Sequence, residues 1–294
     1  MEKRHMLQGR IDLHLHTICS DGQETPEELV ETALKADYTV ISITDHDTVA
    51  GIPRALVAAR NTGLEVIPGI ELSAIDGSDD VHILGYFVDY ENPDFLEQIQ
   101  FFKDKRHERA EEIVRNLNKV GLDIQIDTVL RIAHGAPIGR PHIAEALVAE
   151  ELVDTYSEAF FRYIGADGPA YVPKYEVKPA EAIQLILQYG GVPVIAHPGV
   201  FDRDEMIFEL KADGLMGIEA IHPFHTTEKQ KFYIDLGRKL DLIVTGGSDW
   251  HGQGRSSNFK KLINLLTVPQ TSVDRMKKII AHRNERGTKL TGIS

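Results

Sequence analysis

The sequence contains one cysteine, Cys19, and one tryptophan, Trp250. A lone thiol excludes an intramolecular disulfide and any zinc site built on several cysteines, so a metal held by this chain must take imidazole and carboxylate ligands. Long apolar runs are missing too. None approaches the roughly 18 to 20 residues needed to span a bilayer, and the opening stretch MEKRHMLQGR has no apolar segment of the secretion-signal kind. The expectation is a cytoplasmic protein with no membrane partner. Basic residues are outnumbered, 32 Lys+Arg against 45 Asp+Glu for a net charge of −13. That balance argues against a broad basic face for duplex DNA, and an anionic substrate would need a local cationic site.

What is present is a chain long enough for one large core or one domain with a sizeable insertion: 294 residues, 42 % hydrophobic. Apolar runs alternate with amphipathic stretches: strand 10–16, helix 26–36, strand 39–44, helix 51–61, then strands 64–73 and 81–89. Thr25, Pro26 and Glu28 form the signature of a capped helix start. From about 93 to 170 the pattern becomes helical throughout (93–119, 126–134, 140–151, 155–163), which reads as an insertion. The rhythm then returns with helix 179–189, strand 192–197, helix 203–213, strand 215–221, helix 227–239, strand 241–248 and a terminal helix near 270–283. Such alternation predicts a parallel α/β sheet or barrel.

In "RIDLHLHTICSDG", side chains alternate faces, so His14 and His16 point one way and can converge on one object. Other polar residues fall where strands end: Asp45 and His46 in "SITDHD", Glu71 in "PGIELS", His197 in "IAHPG", Asp249 and His251 in "GGSDWHG", with His82 from "DVHILGY". In α/β folds the loops after the strands gather at one face and build the active site there. A lone strand histidine is usually a satisfied structural residue; the joint placement carries the inference. Imidazole and carboxylate without thiolate suit Zn²⁺, Mn²⁺ or Fe²⁺, and a glutamate can bridge two ions. Two or three divalent ions are expected.

The motifs "DLHLHT..SDG", "ITDHD", "PGIELS", "HILGY", "VIAHPG" and "GSDWHG", in that order, resemble the polymerase and histidinol phosphatase (PHP) family of metal-dependent phosphoesterases. "GRPHIAEAL" and "IEAIHPFH" are similar to segments of its stand-alone branch, which acts on 3′,5′-bisphosphonucleotides and short RNA 5′ ends. The resemblance implies a distorted (β/α)₇ barrel over 8–92 and 171–294, with the helical insertion at 93–170 as lid and specificity element. It implies that His14, His16, Glu71 and Asp249 hold a first metal. Glu71 would bridge to a second held by His82 and His197, and Asp21, His46 and His251 would hold a third. Asp45 is expected to orient an imidazole, and Asp47 and Thr48 to cap the next helix. Arg140 and His142 are expected to contact the substrate, as guanidinium forks and helix N-termini bind phosphate. His222 is expected to contact phosphate or donate a proton, and Arg106 or Arg109 is a further candidate for the cleft. Cys19 is expected to be a buried small residue, and Trp250 to pack behind the site.

Divalent ions lower the pKa of bound water toward about 7, so a metal-bridging hydroxide needs no side-chain nucleophile. The expected reaction is hydrolysis of phosphate monoesters of small nucleotides, foremost the 3′-phosphate of a 3′,5′-bisphosphonucleotide, with short oligoribonucleotides as a variant. Glu71, Asp249, His222 and Arg140 would carry the chemistry. Three rivals stay open: a histidinol phosphate phosphatase, a noncatalytic PHP accessory module, and an amidohydrolase, against which the missing strand-end lysine counts.

Overall fold

The computed structural model describes residues 9–77, 79–201, 203–252 and 268–291. Seven strands form one sheet in chain order: β1 (Arg10–Leu15), β2 (Tyr38–Ile43), β3 (Glu65–Asp76), β4 (Asp79–Tyr86), β5 (Val192–Ile195), β6 (Gly217–Ile221) and β7 (Ile243–Gly246). The helices α1 (Pro26–Lys35), α2 (Ile52–Ala58), α7 (Pro179–Gln188), α8 (Met206–Ala212) and α9 (Thr227–Lys239) connect or flank them. Beyond β7, the Asp249 N–H donates to His14 O and the His16 N–H to Trp250 O, both at 3.0 Å, so the last strand's continuation meets the first strand.

Local chemistry explains the joints. The Thr25 side chain accepts from the Glu28 N–H while the Glu28 carboxylate accepts from the Thr25 N–H, so the capping box that opens α1 is complete. The strands are buried on both faces, as a parallel sheet between layers requires. Ile41, Ile43, Ile70, Leu72, Ile83 and Ile218 pack against the surrounding helices. Ile11, Leu13, Ile67, Tyr86, Val192 and Val194 form a smaller cluster with Val273 and Met276 of α10 (Gln270–Thr291).

One strand departs from the parallel expectation. β4 pairs antiparallel with both β3 and β5, because only a tight turn at Gly77 separates Asp76 from Asp79 and a parallel return needs a long crossover. The reversal puts the start of β4 beside the end of β3: His82 lies opposite Ser73. A residue near the beginning of its strand thereby joins the face where the other strands end.

The helical stretch has its own core. In α3 (Pro93–Lys119), Phe95 and Ile99 pack on the main core, while Ala110, Ile113, Val114 and Leu117 join a separate cluster with α4 (Ile126–Ala133), α5 (Arg140–Ala149) and α6 (Tyr156–Ala159). The helix expected over 155–163 is instead α6 followed by a π-helical turn, Phe160–Ile164. α2 is shorter than the expected 51–61 and starts from Gly51 with no side-chain cap. Among the described residues, no helix is long and apolar enough to cross a membrane.

Candidate metal centre

His14, His16, Glu71 and Asp249 each offer one donor atom, and these atoms lie within 4.8 Å of one another. The same holds for His16, Asp21, His46 and His251, and for His46, Glu71 and His82. Glu71 is the hub. Its Oε2 lies 3.2 Å from His14 Nε2, 3.2 Å from His16 Nε2 and 3.0 Å from His46 Nδ1. Its Oε1 lies 2.8 Å from His82 Nδ1 and 3.3 Å from His197 Nε2.

These atoms are close but most do not satisfy one another. His14 Nε2, His16 Nε2, His46 Nδ1, His82 Nδ1 and Glu71 Oε2 are buried with no hydrogen-bond partner among the described residues. Orphaned donors and acceptors are costly in a protein interior, and a convergent set of them is what a metal shell looks like without its ions. Nitrogen and carboxylate oxygen without sulfur fits zinc, manganese or iron.

The groups behind the shell fix its tautomers. His14 Nδ1 lies 3.0 Å from Glu219 Oε1, so its proton is held there and Nε2 is left to the centre. The other Glu219 oxygen accepts from the His197 N–H at 2.9 Å, tying two ligand strands together. Asp12 Oδ1 accepts from the N–H groups of His14 and Ser248. Asp80 stands 3.3 Å from His82 Nε2. Gly247 is required by contact: a Cβ there would sit 2.2 Å from the Cβ of His14. His197 (φ 27°), Asp249 (φ 53°) and Asp47 (φ 50°) adopt left-handed backbone, a conformation that persists at functional sites because the surroundings enforce it.

Charge follows the same map. Burial opposes ionisation of His16, but the carboxylates of Asp249 and Glu71 close beside its Nε2 prevail and its pKa stands at about 10. Burial likewise opposes His82, which Glu71 and Asp80 lift to about 9. Burial dominates at His46, pushed down to about 3. Burial works against ionised Glu71 and Asp249, yet the surrounding histidines hold both well below the usual carboxylate range.

His222 is buried, its Nδ1 accepts from the Phe224 N–H at 3.3 Å, and its Nε2 lies 3.6 Å from Asp249 Oδ2. With Nδ1 accepting, the neutral ring carries its proton on Nε2, toward the centre. Arg140, at the start of α5, lies over the rings of Phe160 and Tyr171 at 5.8 and 5.9 Å. It lines a cavity of about 170 Å³ together with Arg106, Arg109, Lys174, Asp21, His46 and His82. Both nitrogens of His142 are in use, Nδ1 accepting from the Gly139 N–H at 3.0 Å and Nε2 facing Ser20 O at 2.9 Å. Its ring therefore ties α5 to the loop after β1.

Two expected roles change. Among the described residues Asp45 bonds no imidazole: it accepts from the Thr17 N–H, Thr17 Oγ1 and Ser20 Oγ, and so pins the loop that leads to Asp21. Asp47 caps no helix: it accepts from the Ser73 N–H at 2.9 Å and from Arg106 Nε at 2.6 Å, and Thr48 closes a local turn to Ala50. Cys19 is half-buried, its thiol pushed up in pKa by burial and by Asp45. Trp250 is buried and bonds Glu24. Sequence reasoning missed Glu219, Asp12, Asp80 and Lys174. Glu219 carried a signal, a lone acid inside the apolar run GIEAI, since a carboxylate is buried only with partners.

The PHP domain model matches residues 12–193. The chain belongs to the PHP domain family. It is similar to a 5′-3′ exoribonuclease of Haemophilus influenzae, with 33 % identity over 82 % of this chain and 90 % of that one. It is also similar to a 3′,5′-nucleoside bisphosphate phosphatase of Chromobacterium violaceum, with 31 % identity over 84 % of this chain and 88 % of that one. Among solved structures, one described as a metal-dependent phosphoesterase of Bifidobacterium adolescentis superposes with a TM-score of 0.84 at 33 % identity, covering 92 % of this chain and 96 % of the other. This PHP domain is an enzyme, a metal-dependent phosphoesterase.

Proposed function

We propose that the protein removes the 3′-phosphate from nucleoside 3′,5′-bisphosphates, with trimming of short RNA from its 5′ end as a related activity. The observation that carries this reading is the cationic cavity beside the ligand shell. Of its four cations, Arg106 is paired with Asp47 and Lys174 with Asp80. Arg109 is 8 % exposed with a buried, unpartnered Nη2, and Arg140 has no carboxylate partner among the described residues. Two guanidiniums therefore bring uncompensated charge to a space of phosphate size that adjoins the centre, sharing Asp21, His46 and His82 with it. A substrate with two phosphates fits that arrangement better than histidinol phosphate, which has one.

His14, His16, Glu71 and Asp249 would hold one ion, Glu71 would bridge to a second held by His82 and His197, and Asp21, His46 and His251 would hold a third. Zn²⁺, Mn²⁺ and Fe²⁺ all suit these donors. Bound there, divalent ions supply a nucleophile from water near neutral pH and neutralise charge on the phosphoryl oxygens. The chain's own residues do the rest. Glu71 and Asp249 fix the geometry of the centre, Arg140 and Arg109 grip the second phosphate, and the His222 Nε2–H donates a hydrogen bond to the leaving ribose oxygen, which takes its proton from solvent water. His142 positions Arg140 by holding the start of α5 against Ser20. The segment 93–170 supplies Arg106, Arg109 and Arg140 and acts as the specificity element.

The test is phosphate release from adenosine 3′,5′-bisphosphate by metal-stripped protein reloaded separately with Mn²⁺, Fe²⁺ and Zn²⁺, with histidinol phosphate assayed alongside. Metal-dependent release of the 3′-phosphate is expected. Turnover of histidinol phosphate with none of the bisphosphate would overturn the reading in favour of the monoester.

A further inference from the structure

We infer that Phe224 is the platform on which the substrate's nucleobase stacks, and that it sets a preference for nucleotides over bare sugar phosphates. The inference rests on the nucleotide reading above and concerns a different part of the molecule. On the far side of Asp21 and Pro141 from the cationic cavity lies a wider, open one of about 800 Å³, reached from the centre past Asp249 and His251. Among the described residues no lysine or arginine lines it, while Asp21, Glu145 and Asp249 do. Such a surface repels a phosphate and accepts a neutral group.

Phe224 stands in this cavity 72 % exposed, on the turn between β6 and α9, with its ring 5.3 Å from that of His222. The turn that presents it is pinned on both sides. The Phe224 N–H donates to His222 Nδ1, and His225 is buried with Nδ1 facing Ala220 O at 2.9 Å and Nε2 accepting from the Gly199 N–H at 3.0 Å. A large apolar ring is thus held out in water by a fixed backbone, beside the histidine whose Nε2–H faces the metal centre. The facing wall is Pro141 and Val148 of α5 and Tyr156 of α6. A flat aromatic base leaving the metal centre through this opening meets that ring, and stacking on an aromatic side chain suits every base alike.

The experiment uses the full-length, metal-loaded protein and its Phe224→Ala and Phe224→Trp variants. Binding of 2-aminopurine riboside 5′-monophosphate is followed by quenching of the base's fluorescence. In parallel, kinetics are compared for adenosine 3′,5′-bisphosphate and for the abasic 1-deoxyribose 3,5-bisphosphate. The wild type and Phe224→Trp should quench the probe and Phe224→Ala should not. Phe224→Ala should raise KM for the nucleotide about tenfold, the worth of one stacked base, and leave the abasic substrate unchanged. Equal losses on both substrates, or quenching that survives Phe224→Ala, would overturn the assignment. So would unchanged quenching with weakened self-association in sedimentation, which would give the ring to a contact between copies. Quenching that depends on Phe224 in a protein that hydrolyses neither bisphosphate would sustain the platform and sink the proposed reaction instead.

Discussion

The strand ends and the helical segment are built on opposite terms. At the strand ends, donor atoms are buried, crowded around one carboxylate and fixed by neighbours such as Glu219 and Asp12, so each side chain has one place to be. The helical segment offers long side chains across a cavity, with Arg140 lying over two rings and Arg106 reaching back to Asp47. It has a core of its own and joins the main core through Phe95 and Ile99 in the first half of α3. Under the proposed function the difference would separate reactivity from choice: the sheet would hold the metal chemistry constant while the helices select the phosphate ester.

The largest effect that would break this contrast comes from its hub. Glu71→Gln keeps the shape but removes the negative charge that five imidazoles share. Turnover should fall below detection and metal content by at least one ion, measured by elemental analysis of the purified protein. Retention of both metal content and activity would mean the ions are not held here. Next comes Glu219→Gln, which leaves the ligands in place but loosens the His14 tautomer. Metal affinity should weaken about 10- to 100-fold, as for other partners behind a metal shell, and a chelator competition reads it directly. An unchanged affinity would remove Glu219 from the metal centre's supporting groups.

On the helical side, Arg140→Ala should raise KM for a nucleoside bisphosphate by roughly 10-fold or more, the worth of a charge-assisted contact, and change kcat little. A fall confined to kcat would move Arg140 from recognition to the chemical step and blur the division. The smallest effect is one of stability. His16 and His82, at about 10 and about 9, stand above the ordinary value of about 6.5. In the metal-free protein they therefore contribute stability that is complete below about pH 6.5 and is lost as pH rises toward those values. Metal requires the unprotonated rings, so the stability it adds grows with pH. Between pH 6.5 and 9, melting of the stripped protein should shift down by a few degrees while that of the loaded protein holds or rises. Parallel shifts in the two forms would contradict the charge assignment.

Much of the strand-end site was legible because a period of two and a strand terminus are strong local signals. His14 and His16 had to share a face, and His46, Glu71, His197 and Asp249 fell close to where apolar runs end, whereas His82 sits near the start of its strand. What was not legible depended on pairing at a distance. Asp45 and Asp47 looked like neighbours of a ligand with local duties; their partners, Thr17, Ser20 and Arg106, are known only from the folded chain. Lys174 has no pattern of its own and matters through Asp80. The direction of β4 was written in the Asp76-Gly77 pair between two apolar runs, a hairpin signal that the expectation of βα repetition overrode. The cation cavity was half visible: Arg140 stood out by its helix start, whereas Arg109 needed its burial to be seen.

The β3–β4 hairpin has a consequence in time. Glu71 and His82 lie on adjacent strands joined by a tight turn, so that part of the shell can form as soon as the hairpin does. His14 and Asp249 meet only when β1 and the segment after β7 join, through bonds such as Ser248 to Asp12, 236 positions apart in sequence. Contacts of such separation form late, because the intervening chain must be ordered first. An ion captured early by the hairpin and His46 would wait in a half-built site, and loading during synthesis should differ from loading of the finished fold.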